Sequence, residues 1–428
     1  MTLPAASRYH RTPIKILNTV LGGFNTMGIG RYPLDENSLI KKARAQAGLT
    51  EFGDESFLVP MRVLLKSLEQ EADLNPIGRM LTGISLVRLL KHRLLLTDLL
   101  KREPQILERE IKSPVVIVGL ARSGTTRLHR LLGADKRFLN LKAWESVNPV
   151  PYPESFSARA ENKVDPRFTN IQQGLKAVLY LSPQIAAVHP LAADAIEEEV
   201  GLLQHAFASQ IFEVCTKVPS FAEYIMTHDQ TPAYEYMATL MKVVSWFRDD
   251  PIDKPWVLKS PQHMQDLDCL VNVFPDAKCI FPHRDPVKVM GSMCSMAWNG
   301  MVRDTDTLSP QWLGNEWLTK TESMLAKTQR VRDSMIPNAN QYDVLYADIT
   351  KDWRQAMNGI YDFLGMDLNE QALAGMQGWL DTNNQHKHGS HKYSLEDFGL
   401  SKDEVSARLD FYRQRYTIPD EVRNPHVS

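Results

Sequence analysis

The chain of 428 residues is poor in cysteine, with only Cys215, Cys269, Cys279 and Cys294. None forms a CxxC pair. That scarcity excludes a small disulfide-stapled fold and suits a reduced, cytoplasmic setting. Charge of one sign is missing too, since 49 Lys and Arg face 51 Asp and Glu, a formal charge of −2. No global basic field exists to recruit nucleic acid, so nucleic acid is not an expected partner and any anion must be held by local groups. Long apolar runs are absent. The most apolar stretch, Leu86 to Leu100, is broken by Arg88, Lys91, His92, Arg93 and Asp98, which is too short and too charged to span a bilayer. A packed helix is the expected fate of its apolar face, with peripheral contact on a membrane as the alternative. The N-terminus lacks a sustained apolar core with a small-residue cleavage site, so no signal peptide is expected. There is no internal repeat and no low-complexity tract. What remains is a chain that is 43% hydrophobic and 23% charged, the composition of a folded globular protein.

Residues 1–110 read as a helical N-terminal region packed on the core, with leucines at three- and four-residue steps in Leu58–Glu71 and Leu86–Lys101. Val115-Val116-Ile117-Val118 is a continuous β-branched run, as a strand buried on both faces requires. Further strands are predicted at Trp256–Leu258, Lys278–Phe281 and Tyr342–Tyr346, with helical patterns between them at Thr231–Arg248 and Ser309–Ser334. Short strands alternating with helices predict an α/β domain over 111–416, a central parallel sheet flanked by helices, with a helical insertion at 150–250. The tail 417–428, with Pro419 and Pro425, is expected to be loosely held.

The strongest motif runs from Gly119 to Thr126, Gly-Leu-Ala-Arg-Ser-Gly-Thr-Thr. A strand ends, a Gly-bounded loop follows, and a helix opens with hydroxyl residues, so backbone N–H groups and a helix N-terminus converge as a phosphate requires. The spacing is that of GxxxxGK[ST], with Thr125 in place of the lysine. That lysine serves the β/γ-phosphates of ATP or GTP, and its absence counts against a kinase or nucleotide hydrolase. Arg122 supplies a forked cation instead. A second anion site is suggested by Arg284, at the end of the Lys278 strand. Pro286 then opens a helix that carries Ser292 about two turns in. Arginine and hydroxyl together can grip a separate phosphate.

The segment 115–132 resembles the 5′-phosphosulfate loop of sulfotransferases that use 3′-phosphoadenosine 5′-phosphosulfate (PAPS), in the variant with arginine in place of the more familiar lysine. The resemblance implies that Arg122, Ser123, Gly124, Thr125 and Thr126 hold the 5′ end. It implies that Arg284 and Ser292, spaced by eight positions as in that family, hold the 3′-phosphate. It also implies a P-loop-like fold, release of 3′,5′-ADP, and a small hydroxylated acceptor on the side of the 150–250 insertion. No metal is expected, since no carboxylate pairs obviously with the loop.

Sulfuryl transfer needs in-line alignment, charge stabilisation at the leaving phosphate and a base for the acceptor hydroxyl. Arg122 and Lys259, the latter at a strand end facing the ligand crevice, are candidates for the second task. Three residues contend for the third, with Glu145 favoured and His263 and Glu198 behind it. Glu145 stands where one branch of the family carries its catalytic glutamate, and burial beside Trp144 would push a carboxyl up from ~4.3. His263 has a suitable intrinsic pKa. Glu198 lies in the acidic run Glu197-Glu198-Glu199, which resembles a family motif but is equally a solvated helix face.

His386, His388 and His391 lack cysteine partners and i,i+4 spacing, against a metal site. By resemblance to a basic loop that covers the cofactor, Lys392 and Tyr393 are candidate PAPS contacts. The chain departs from the better-known branch at Arg122 and in lacking a clear RKGxxG, which leaves the base open. Trp144, Trp256 and Tyr180 are candidates to line an apolar pocket for a lipid, sterol or phenol. A non-catalytic nucleotide-binding scaffold is the remaining alternative.

Overall fold

Among the described residues, four short strands form one parallel sheet: β1 (Val115–Ile117), β2 (Val257–Lys259), β3 (Lys278–His283) and β4 (Gln341–Leu345), in the order β2-β1-β3-β4. The computed structural model describes residues 6–27, 30–183, 192–383 and 394–421. Lys392, Tyr393 and the three C-terminal histidines lie outside them. Val116 sits opposite Leu258 on one side and Cys279 on the other. Every residue of β1 and β2 is buried, which is why Val115–Ile117 and Val257-Leu258 read as continuous apolar runs rather than alternating ones.

Strand β3 runs two residues past its predicted end, through Pro282 to His283. Proline cannot donate to a ladder, and here it need not serve both neighbours, because β1 pairs with β3 only as far as Ile280. Conversely, Tyr346 leaves β4 and opens the helix Tyr346–Lys351.

Two apolar cores flank the sheet. On one face Val116 and Leu258 join Leu86, Leu89, Leu90 and Leu94 of the helix Pro76–Arg102. That helix begins ten residues before the leucine run, where the Asn75 side chain caps the Gly78 amide at 2.8 Å and Pro76 occupies the first turn. On the other face Val115 and Ile117 meet Leu128, Leu131, Ile360 and Met376. The alternation of Val116 against its neighbours is the two-residue period of a strand.

The order β2-β1-β3-β4 means that the chain leaves β1 in one direction and returns to its other side for β3. Ligands in such sheets bind at the carboxyl ends of the strands beside that reversal. The phosphate loop leaves the tip of β1, and Arg284 follows the tip of β3. The described part of 150–250 carries the helices Pro153–Ala160, Pro166–Leu181, Pro219–Thr227 and Thr231–Arg248, joined by turns and irregular stretches. No helix among the described residues is long and apolar enough to cross a membrane.

Candidate active site

The loop after β1 turns back through two left-handed residues, Arg122 (φ 70°) and Gly124 (φ 88°), before the helix Thr125–Gly133 begins. Gly124 is needed twice over. A side chain would be strained at that φ, and a Cβ would stand 2.7 Å from the Tyr346 ring. Gly119 lets the tips of β1 and β3 touch, since a Cβ there would lie 2.9 Å from Cγ of Pro282. Ser123 is fully buried. Its hydroxyl donates to the Leu120 carbonyl at 2.7 Å, so this hydroxyl shapes the loop rather than facing the crevice.

Arg122 and Arg284 converge. Arg122 donates through Nε to the Ser292 hydroxyl at 2.9 Å, and Arg284 donates through Nη1 to the Arg122 carbonyl at 2.8 Å. The Arg284 guanidinium lies over the Tyr346 ring, 4.0 Å from its centroid. Its Nε and Nη2 both donate to the Glu421 carboxylate at 3.0 Å. Glu421 is buried, and its amide donates at 2.9 Å to Asp285, the cap of the helix Pro286–Met301. Sequence reasoning missed Glu421, which falls in the tail expected to be loose. Residues up to 421 are instead pinned by this pair and by buried Ile418. An isolated glutamate after Pro419 gave no signal for it.

Arg122, Gly124, Thr125, Thr126, Arg127 and Arg284 all line one cavity of about 840 Å³. Ile171, Leu175, Val214, Met293, Met296 and Trp379 supply apolar wall. Of the aromatics expected there, Trp256 is buried in the core and Tyr180 is about half exposed. Neither they nor Trp144 line the cavity; the indole of Trp144 packs under Arg167 instead.

The three consecutive glutamates divide their work. Glu198 lines the cavity and pairs with the ammonium of Lys259, which is 2% exposed at the end of β2 and also donates to the Thr126 hydroxyl at 3.3 Å. Glu197 lines the cavity 3.7 Å from Arg130. Glu199 points inward, accepts the Lys259 amide at 3.1 Å and pairs with Nε2 of His263. Burial raises the Glu199 carboxyl, yet the His263 pairing, together with His129 and the Lys259 amide, outweighs it and leaves the group below its ordinary value. His263 meets the Tyr234 hydroxyl through Nδ1 at 2.8 Å and is wholly buried. A base must reach its proton within hydrogen-bond distance, and His263 does not line the cavity.

Glu145 also departs from expectation. Its carboxylate accepts the Lys142 amide at 2.9 Å, closing the first turn of the helix Ala143–Val147, and is gripped by Arg248 from Nε at 2.7 Å. Ala143, Ser146 and Val147 line the cavity, whereas Glu145 does not. The partner that claims it lies 103 positions away, out of reach of local reading. Among the described residues there is no group of three or more His, Cys, Asp or Glu placed to hold a metal ion.

A glycine-bounded loop between a parallel strand and a helix N-terminus, tied through Arg122 to Ser292 and Arg284 beyond the neighbouring strand, is the arrangement of a phosphate-loop α/β fold. The model of the sulfotransferase family matches residues 114–370, and the chain belongs to that family. It is 23% identical over 329 residues to omega-hydroxy-beta-dihydromenaquinone-9 sulfotransferase Stf3 of Mycobacterium bovis, covering 72% of this chain and 77% of that protein. The crystal structure of sulfotransferase STF1 from Mycobacterium tuberculosis superposes with a TM-score of 0.76 at 29% identity, covering 87% of this chain and 98% of the other. STF9 from Mycobacterium avium shares the fold, with a TM-score of 0.80 at 22% identity over 90% and 98% of the two chains.

Proposed function

We propose that this sulfotransferase moves a sulfuryl group from PAPS to a hydroxyl of a small apolar acceptor, releasing 3′,5′-ADP. The observation that carries the reading is that the phosphate loop, Arg284 and Glu198, which is paired behind the wall with buried Lys259, border one cavity whose remaining wall is largely apolar. Two cationic cradles fit a nucleotide phosphorylated at both ends, and the apolar wall fits the acceptor. The curated relative named for a hydroxylated menaquinone supports an apolar alcohol.

Bound PAPS would supply the activated sulfuryl group. The helix N-terminus at Gly124–Arg127 and the Arg122 guanidinium receive its 5′ end, where fixed donors cost no reorganisation as charge develops. Arg284 and Ser292 receive the 3′-phosphate. Lys259, bound to Thr126 of the loop, stabilises charge on the departing phosphate. Glu198, oriented by Lys259, accepts the acceptor's hydroxyl proton, a role in which a positioned carboxylate contributes about 10²–10⁴-fold. The buried Glu199–His263–Tyr234 chain holds the β2 end in place and acts through Lys259.

Sulfate-labelled PAPS offered with long-chain alcohols, sterols and phenols tests this reading. Labelled ester and 3′,5′-ADP should appear together. No transfer to any acceptor, alongside turnover of ATP, would replace it with nucleotide-triphosphate chemistry.

A further inference from the structure

The helix Thr12–Thr26 carries an apolar stripe on its solvent side. Toward the protein it turns Asn18, which is buried and accepts the Ile77 amide at 3.0 Å, and half-buried Asn25. Toward solvent it turns Ile16, Leu17, Val20 and Phe24, with Met27 at its cap, exposed by 60, 44, 51, 46 and 65%. At 3.6 residues per turn these five fall within an arc of about 100°, opposite the two asparagines. On the Pro76–Arg102 helix, against which it packs, Met80 and Ile84 are also exposed, one turn apart. Single exposed apolar residues need no explanation, but a continuous stripe marks an interaction surface.

Charge narrows the occupant. No acidic residue precedes Asp35 in the chain. Arg11 and Lys15, both exposed, open the helix, and Lys176 is exposed on the Pro166–Leu181 helix. Apolar stripe and flanking cations together are the signature of a helix lying in the plane of an anionic bilayer. A second copy of the chain would bury the stripe equally, but a two-fold contact would bring the same cations together with no carboxylate in the segment to pair them. The N-terminal end of the helix touches an element of the cavity wall. Arg11 stacks on Tyr180, 4.6 Å from the ring centroid, and Tyr180 belongs to the helix that contributes Ile171 and Leu175 to the cavity.

We propose that the stripe docks the protein on an anionic lipid surface, with Ile16, Val20 and Phe24 sunk about 5–10 Å into the headgroup–acyl boundary. Arg11 and Lys15 then stand at phosphate level. A surface-bound enzyme meets a lipid-dissolved acceptor without drawing it through water.

Co-sedimentation of the full chain with vesicles, in the absence of PAPS and acceptor, tests docking separately from the chemistry. The protein should sediment with phosphatidylcholine–phosphatidylglycerol vesicles, less so at high salt, and weakly with phosphatidylcholine alone. The double variant Ile16→Glu, Phe24→Glu, with its melting temperature and circular dichroism checked, should bind at least about ten-fold more weakly. The pair Arg11→Glu, Lys15→Glu leaves the apolar stripe intact and should lose the preference for anionic vesicles. Wild-type protein that ignores anionic vesicles, variants that bind as well as it does, or a wild-type dimer that the Ile16→Glu, Phe24→Glu pair dissolves, would each overturn the proposal.

Discussion

Arg122 and Ser292 are 170 positions apart in the chain, yet the guanidinium of one bonds the hydroxyl of the other at 2.9 Å. This contact joins the loop after β1 to the helix after β3, so the two proposed anion cradles are parts of one assembly. Arg284 sits at the same junction, tied to the Arg122 carbonyl. Replacing Arg284 by alanine should weaken both PAPS and 3′,5′-ADP by roughly 2–5 kcal/mol. 5′-AMP, which lacks the 3′-phosphate, should lose much less. Calorimetric titration distinguishes these outcomes, and a loss for 5′-AMP as large as that for 3′,5′-ADP would remove Arg284 from the 3′-phosphate site.

Glu198 and Glu145 should respond to mutation in opposite ways. Glu198→Gln should cut turnover by about 10²-fold or more while leaving 3′,5′-ADP affinity nearly unchanged. Glu145→Gln removes the charge paired with Arg248 inside the fold, so the variant should melt at a lower temperature while its folded fraction keeps its turnover. Loss of catalysis without loss of stability in the Glu145 variant would restore it as the base.

Leu175 and Met296 stand on different elements of the cavity wall. Leu175→Asp or Met296→Asp places a carboxylate in the apolar part of the pocket and should raise the acceptor KM about ten-fold or more. The KM for PAPS should stay close to wild type. A change confined to PAPS would show that this wall belongs to the nucleotide instead.

Asp266 predicts a pH dependence of stability. Burial pushes its carboxyl up to about 7, although a bond from Gln262 opposes the shift. Between its ordinary value of 3.8 and about 7 the folded protein holds a proton that the unfolded chain has released. Stability contributed by that proton is present at acid pH and is lost as pH rises through this window. Asp266→Asn should flatten the fall, raising the melting temperature most above pH ~8 and least near pH ~4. A uniform shift across that range would contradict the assignment.

Local chemistry made much of the fold legible. The helix Thr231–Arg248 has the bounds that its pattern predicts, and the four strands lie within two residues of their predicted positions. Their apolar runs and flanking glycines and prolines act over a few residues, which a sequence displays directly. The loop Gly119–Thr126 was readable for the same reason, as was Ser292 two turns along its helix.

What escaped were pairings made only by the tertiary fold. Nothing near Glu145 announces Arg248, and nothing near Arg284 announces Glu421. The split of Glu197, Glu198 and Glu199 between cavity and interior depends on where β2 delivers Lys259 and His263, far along the chain. A charge run carries no sign of which member will turn inward.

The most direct test of the central claim is calorimetric titration of the wild-type protein with 3′,5′-ADP, 5′-ADP and ATP. The two-cradle site predicts that 3′,5′-ADP binds at least about 10²-fold more tightly than either of the others, since only it can engage both Arg284 and the loop. Equal affinity for 3′,5′-ADP and 5′-ADP, or a preference for ATP, would contradict it.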